Sequence, residues 1–105
     1  MGEMNSRGEG RVTITEQGRS GTVIYGEGDE RISGWWEFGG GDTLAIVHMG
    51  SASEWVQAHP WAADHRSAIL HRIADEVVRQ KAAGRFAEID EEGGWITIRQ
   101  ATENM

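Results

Sequence analysis

Arg66 occupies an unusual position for a charged side chain, in the middle of an apolar stripe that repeats at the helical period of 3.6 residues. An arginine on the apolar side of a helix must extend to solvent, pair with a carboxylate or line an opening. A guanidinium that lines an opening favours a small anionic ligand. Arg66 is therefore the first candidate for a binding residue.

Five residues form the predicted ligand site. They are Arg66, His48, Trp55, Trp61 and Glu37. The chain crosses from the end of the fourth predicted strand to the N-terminal end of the helix, which would bring His48 close to Arg66. A histidine, an arginine and a carboxylate in one place could perform acid–base catalysis on an anionic substrate. The alternative is a polar corner that is satisfied internally, by Glu37 or Asp42.

The strand register decides whether His48 belongs to that site. If Leu44 and Ile46 face the core, alternation turns His48 inward as well. The other register places Ala45 and Val47 inward and turns His48 away from the core. The sequence leaves both registers open.

The common signatures of catalysis and metal binding are missing. The chain has no cysteine, which excludes a disulfide scaffold, a thiol nucleophile and a Cys-ligated zinc site. His65 and His71 are separated by about 240° around a helix, so they cannot share a metal ion by themselves. The glycine-rich turns lack the phosphate-binding patterns, and no hydrolase motif is present. We therefore expect no metal site and no cofactor.

Strands are predicted over the first half of the chain, where apolar and polar residues alternate and glycine-rich turns interrupt the pattern. The four predicted strands are residues 11–15, 22–25, 31–38 and 43–48. Short strands joined by short glycine turns are typical of an antiparallel meander.

The period changes to that of a helix after Gly50. Ser51 and Glu54 fit a capping box that would begin a short helical turn over residues 52–58. A long amphipathic helix is predicted from Pro60 to about Ala82, with Gly84 as its C-terminal signal.

The predicted fold class is α+β, with the element order ββββαββ. Two further strands, residues 85–89 and 95–99, form a terminal hairpin. One antiparallel sheet of five or six strands would therefore carry one long amphipathic helix packed on one face. The domain spans residues 11–100, and the flanking residues 1–10 and 101–105 are predicted to be flexible.

The five tryptophans suggest that the other face of the sheet needs cover. Trp35 and Trp36 are adjacent in one strand and must point to opposite faces. Trp36 belongs to the inward set, so Trp35 points to the face without a helix, and Trp95 does the same. With Trp35 and Trp95, one of Tyr25 or Ile24 lies on that face, and we predict a homodimer interface made by Trp35, Trp95 and Tyr25. The alternative cover is the N-terminal segment or a loop.

The charge balance limits the choice of partners. Ten basic and seventeen acidic residues give a net charge of -7, which argues against binding to nucleic acid backbones. No apolar run approaches the length of about 18 residues that a membrane span needs, and the N-terminus lacks the regions of a signal peptide. We therefore expect a cytoplasmic protein without nucleic acid or membrane partners.

Three functions are compatible with these observations. The first is a non-enzymatic binding or interaction module that acts as a homodimer. The second is an acidic protein, similar in size and charge to the immunity proteins and antitoxins of bacteria, that neutralises a basic partner. The third is a small enzyme or ligand-binding protein with an anion site near Arg66 and His48.

Overall fold

Six strands form one antiparallel sheet, and two helices lie between the fourth and fifth strands in the sequence. The computed structural model describes residues 10–100. The strands are β1 (Arg11–Gln17), β2 (Ser20–Glu27), β3 (Glu30–Phe38), β4 (Thr43–His48), β5 (Phe86–Asp90) and β6 (Trp95–Arg99). The helices are α1 (Ala52–Ala58) and α2 (Arg66–Lys81), and a 3₁₀ turn (Ala63–His65) precedes α2.

The strands follow the order β1-β2-β3-β4-β6-β5 across the sheet, and every neighbouring pair is antiparallel. The predicted fold class, element order and single long helix are confirmed. Gly18 and Gly28 have positive φ angles in two-residue turns, so the strands that flank them extend further than the sequence pattern indicated. Residues 1–9 and 101–105, which were predicted to be flexible, lie outside the described residues, whereas Gly10 is described and is buried.

One face of the sheet, which we call the helix face, packs against α2. The buried strand residues on this face are Val12, Val23, Tyr25, Ile32, Trp36, Val47, Ile96 and Ile98. The predicted apolar stripe of the helix is also buried in full: Ala62, Ile69, Leu70, Ile73, Ala74 and Val77. Burial of each large side chain contributes about 1.5–3 kcal/mol, so this contact is the main source of stability. No helix within residues 10–100 is long and apolar enough to cross a membrane.

The beginning of α1 is capped as the sequence predicted. The Ser51 backbone N–H donates to Glu54 Oε1 at 2.7 Å, and the Glu54 backbone N–H donates to Ser51 Oγ at 3.3 Å. These reciprocal bonds satisfy donors that a helix N-terminus leaves free.

The long helix begins later than predicted. Pro60 lies in a turn, because the Ala62 N–H donates to the His59 carbonyl at 2.9 Å and closes the chain there. The chain then forms the 3₁₀ turn before α2 begins at Arg66. The predicted end is confirmed, since Gly84 has a φ of +87° just beyond α2.

Gly21 makes room for the indole of Trp36 on the helix face. Trp36 Nε1 donates to the Thr15 carbonyl at 2.8 Å, so a β3 side chain crosses β2 to reach the backbone of β1. A β-carbon at position 21 would collide with both Thr15 O and Trp36 Nε1. A residue without a side chain is therefore required at this position.

We expect Gly21→Ala to destabilise the protein by about 1–3 kcal/mol, because an added methyl group must displace the indole or the backbone. Gly40→Ala is the matched control, since a β-carbon there would have no heavy atom within 4 Å. Urea unfolding followed by tryptophan fluorescence measures both variants. Equal stabilities would contradict the packing described here.

Candidate functional site

The second face of the sheet carries no helix, and we call it the open face. Its residues alternate with those of the helix face along each strand. They are Arg11, Thr13, Thr15, Gln17, Ser20, Thr22, Ile24, Gly26, Arg31, Ser33, Trp35, Glu37, Thr43, Ile46, His48, Phe86, Glu88, Asp90, Trp95, Thr97 and Arg99.

Three rings pack together on the open face, across the inner strands and at the end of the sheet near α1. Trp35 pairs with His48, and His48 pairs with Trp95, on three neighbouring strands. The His48 ring centroid lies 5.6 Å from that of Trp35 and 4.2 Å from that of Trp95, and the two indoles meet edge to face at 5.8 Å. We call these three residues the aromatic cluster. Trp35 is 42% exposed and Trp95 is 38% exposed, so the cluster is accessible to a partner.

The open face is electrically balanced although the chain is acidic. Its positive residues are Arg11, Arg31 and Arg99, and its negative residues are Glu37, Glu88 and Asp90. Three positive and three negative charges cancel, whereas the whole chain has a net charge of -7. Within the described residues, the acidic side chains outside the open face include those of the β2–β3 and β5–β6 turns.

A groove of about 470 Å³ separates the aromatic cluster from α1. Trp35 and His48 line one side of it, and Glu54, Trp55 and His59 line the other. The Glu54 carboxylate accepts the capping hydrogen bond, and Trp55 Nε1 donates to the Met49 carbonyl at 2.8 Å. Residues 10–100 contain no group of three or more histidine, aspartate or glutamate side chains that could hold a metal ion.

Arg66 is buried at the start of α2 and bonds to backbone carbonyls. Its Nη2 donates to the Gly50 carbonyl at 2.8 Å, its Nη1 donates to the Glu91 carbonyl, and its guanidinium lies 5.2 Å from the Trp55 ring centre. Burial lowers the pKa of the Arg66 guanidinium, and the nearby carboxylates, led by that of Glu91, oppose this shift. Arg66 therefore joins three segments: the chain after β4, the β5–β6 turn and α2.

The structure does not bring His48 and Arg66 together. It adopts the register in which Val47 is buried on the helix face and His48 lies on the open face. A β-bulge between Thr43 and Ala45 explains the outcome. Leu44 packs against the core while Ile46 and His48 face outward, so alternation cannot be extrapolated from Leu44 through the bulge.

The other predicted ligand residues are dispersed. Glu37 lies on the open face opposite Ile46, diagonal to His48 rather than beside Arg66. Trp61 is half-buried and packs against the core. Trp55 is only 1% exposed, yet it shares the groove with His48.

Tyr25 is not on the open face, which corrects its predicted place at an interface. It is 4% exposed on the helix face, and its hydroxyl donates to Glu27 Oε1 at 2.8 Å. Ile24, the alternative named from the sequence, lies on the open face opposite Ser33. Both registers of β2 would bury an apolar side chain, so the strand sequence alone does not distinguish them.

Two features of this surface escaped the sequence analysis. His59, which was not among the candidate site residues, lines the groove. The threonines at positions 13, 15, 22 and 97 all lie on the open face, and the spacing of two between Thr13 and Thr15 in β1 is a signal that could have identified it. No family model, curated protein or solved structure matches this chain.

We expect Arg66→Ala to destabilise the fold by about 2–3 kcal/mol, because it removes two hydrogen bonds to partly buried carbonyls and the contact with Trp55. Arg79→Ala is the control, since Arg79 is exposed and forms a surface ion pair with Glu76 at 2.7 Å, so its loss should change stability little. Chemical denaturation measures both variants. If the Arg66→Ala protein is as stable as the wild type, Arg66 does not stabilise the fold, and this result would indicate a binding role instead.

Burial raises the pKa of Tyr25 to about 12 from its ordinary value of 10.0, and the hydrogen bond to Glu27 adds to the shift. Because the folded pKa exceeds the unfolded one, the unfolded chain loses its proton first, and stability should fall as the pH rises from 10 towards 12. Tyr25 is the only tyrosine, so tyrosinate absorbance reports it alone. Glu27→Gln should lower the pH midpoint of the Tyr25 titration part of the way towards the ordinary value. A midpoint near pH 10 in the folded wild type would contradict the burial of Tyr25.

Proposed function

We propose that this protein is a non-enzymatic binding module that forms a homodimer through the open face of its sheet. The observation that carries the proposal is the exposed aromatic cluster on a face with balanced charge. The proposal retains Trp35 and Trp95 as interface residues and replaces Tyr25 with His48 and Ile24.

The arrangement of side chains on the open face supports a protein interface. Specific interfaces have a centre depleted in charge and a polar rim, and tryptophan is enriched among the residues that dominate binding. On the open face, the aromatic cluster, Ile24 and Ile46 all lie on inner strands of the sheet. Arg11 and Glu88 lie on edge strands, and Arg31, Glu37 and Arg99 lie near strand ends, whereas Asp90 lies opposite Trp95.

A second copy of the chain fits this face better than a strongly basic protein does. Two acidic chains repel each other unless they meet at a surface without net charge, and the open face is such a surface. In a twofold dimer each copy presents the same patch, so the two aromatic clusters can pack against each other as sheets do face to face. A basic partner would instead be attracted to the acidic turns, where Glu27, Asp29, Glu91 and Glu92 lie.

The surroundings of His48 support binding rather than catalysis. A general base needs an orienting hydrogen bond from a second polar group. The rings next to His48 are two indoles, and among the described residues its imidazole makes no side-chain hydrogen bond. The imidazole contributes mainly as a flat ring within the cluster.

The proposal is tested by measuring molar mass with light scattering on a size-exclusion column. The wild type should have twice the 11.6 kDa of one chain. Ser33→Arg places a charge beside the aromatic cluster on an exposed side chain. It should weaken the dimer at least about tenfold, because two guanidinium groups would enter one interface.

The control is Ser53→Arg, which changes the net charge equally but lies on α1 at an exposed position away from the open face. It should leave the dimer unchanged. The double variant Trp35→Ala with Trp95→Ala should be monomeric. A wild type that remains a monomer at high micromolar concentration, or a dimer that Ser33→Arg does not weaken, would overturn the proposal.

A further inference from the structure

A second cavity lies on the helix face, at the end of the sheet opposite to the groove. Its volume is about 120 Å³. Side chains of the sheet form its floor, and Val77 and Ala82 form its roof at the C-terminal end of α2. The floor includes Ile14, Val23 and Ile98, and the indole of Trp36 also lines the cavity, so the walls are largely apolar.

Small side chains and the bulge in β4 create this space. Ala45 and Ala82 leave room where larger residues would fill the layer between sheet and helix. The bulge between Thr43 and Ala45 turns Leu44 towards the same space. Protein interiors are normally close-packed, so a cavity of this size is a specific feature of the chain.

The mouth of the cavity is closed by groups that can move at low cost. Lys81 Nζ and Glu16 Oε2 lie 2.8 Å apart, and both side chains are about half exposed. An exposed ion pair of this kind contributes little to stability. Phe38 also lines the opening and is 45% exposed. A ligand can therefore enter without disruption of the core.

We infer that this cavity binds a small apolar molecule about the size of one aromatic ring. Engineered cavities of about 150 Å³ with apolar walls of leucine, isoleucine and phenylalanine stay free of water and bind benzene. Polar partners for a water molecule are limited to Lys81 and Glu16 at the mouth, whereas an apolar ring recovers the dispersion contacts that the empty space lacks. A polar substituent on the ligand would point to Lys81 and Glu16 at the mouth. The site lies on the opposite face of the sheet from the proposed dimer interface, so the two are independent.

Toluene is the probe for this inference, and methyl resonances of isoleucine, leucine and valine report its position. Titration should shift the methyl signals of Val23, Val77 and Ile98 in a saturable way. The methyl groups of Val56, which is 62% exposed on α1, should not move. Toluene should also raise the unfolding temperature, because it binds the folded state alone.

Ala45→Leu fills the cavity from the sheet, and Ala82→Leu fills it from the helix end. Both variants should lose the toluene-induced methyl shifts and the rise in unfolding temperature. Ala68→Leu is the control, since it adds the same atoms at an exposed position of α2 and should bind toluene as the wild type does.

The use of two filling variants keeps the test informative if one of them fails to fold. The absence of saturable shifts in the wild type would overturn the inference. Unchanged binding by a folded Ala45→Leu or Ala82→Leu protein would overturn it as well, since toluene would then lie elsewhere.

Discussion

Apolar packing between α2 and the helix face of the sheet is the contact on which the rest of the molecule depends. The helix contributes Ile69, Leu70, Ile73 and Val77 to this layer, all of them buried. A single helix can cover only one face of a sheet, so the opposite face must be compatible with water or be covered by another molecule. The composition of the open face, with threonines around two exposed tryptophans, follows from this constraint.

Arg66 provides the polar counterpart of that apolar layer at one end of the sheet. The chain leaves β4 there, reverses through α1 and returns beside the β5–β6 turn, which leaves backbone carbonyls of Gly50 and Glu91 close together. Buried carbonyls need donors, and a guanidinium can donate to both at once. The charge that looked like a ligand-binding group in the sequence is therefore explained by the backbone acceptors around it. Only the folded chain brings those acceptors together.

The sequence was sufficient for the fold class, because each element carries a local signal. The capping box at Ser51, the apolar stripe of α2 and the glycine turns all depend on neighbours within a few residues, and each was confirmed. The errors at Tyr25 and Pro60, and the register left open at His48, concern contacts between distant segments. Residues 44–47 are all apolar, so either face of β4 could have been buried, and the bulge that decides the register has no sequence signature.

The partial burial of the indoles within one chain limits how strongly the open face can associate. Trp35 and Trp95 already cover part of each other and of His48. Less than half of the surface of each tryptophan remains exposed. Only that remaining area is removed from water on association, and part of the gain is lost to the ordering of two molecules. Threonine neighbours keep the face compatible with water in the separate chains. A surface built in this way suits reversible self-association better than a permanent dimer, whose interface would resemble a protein core.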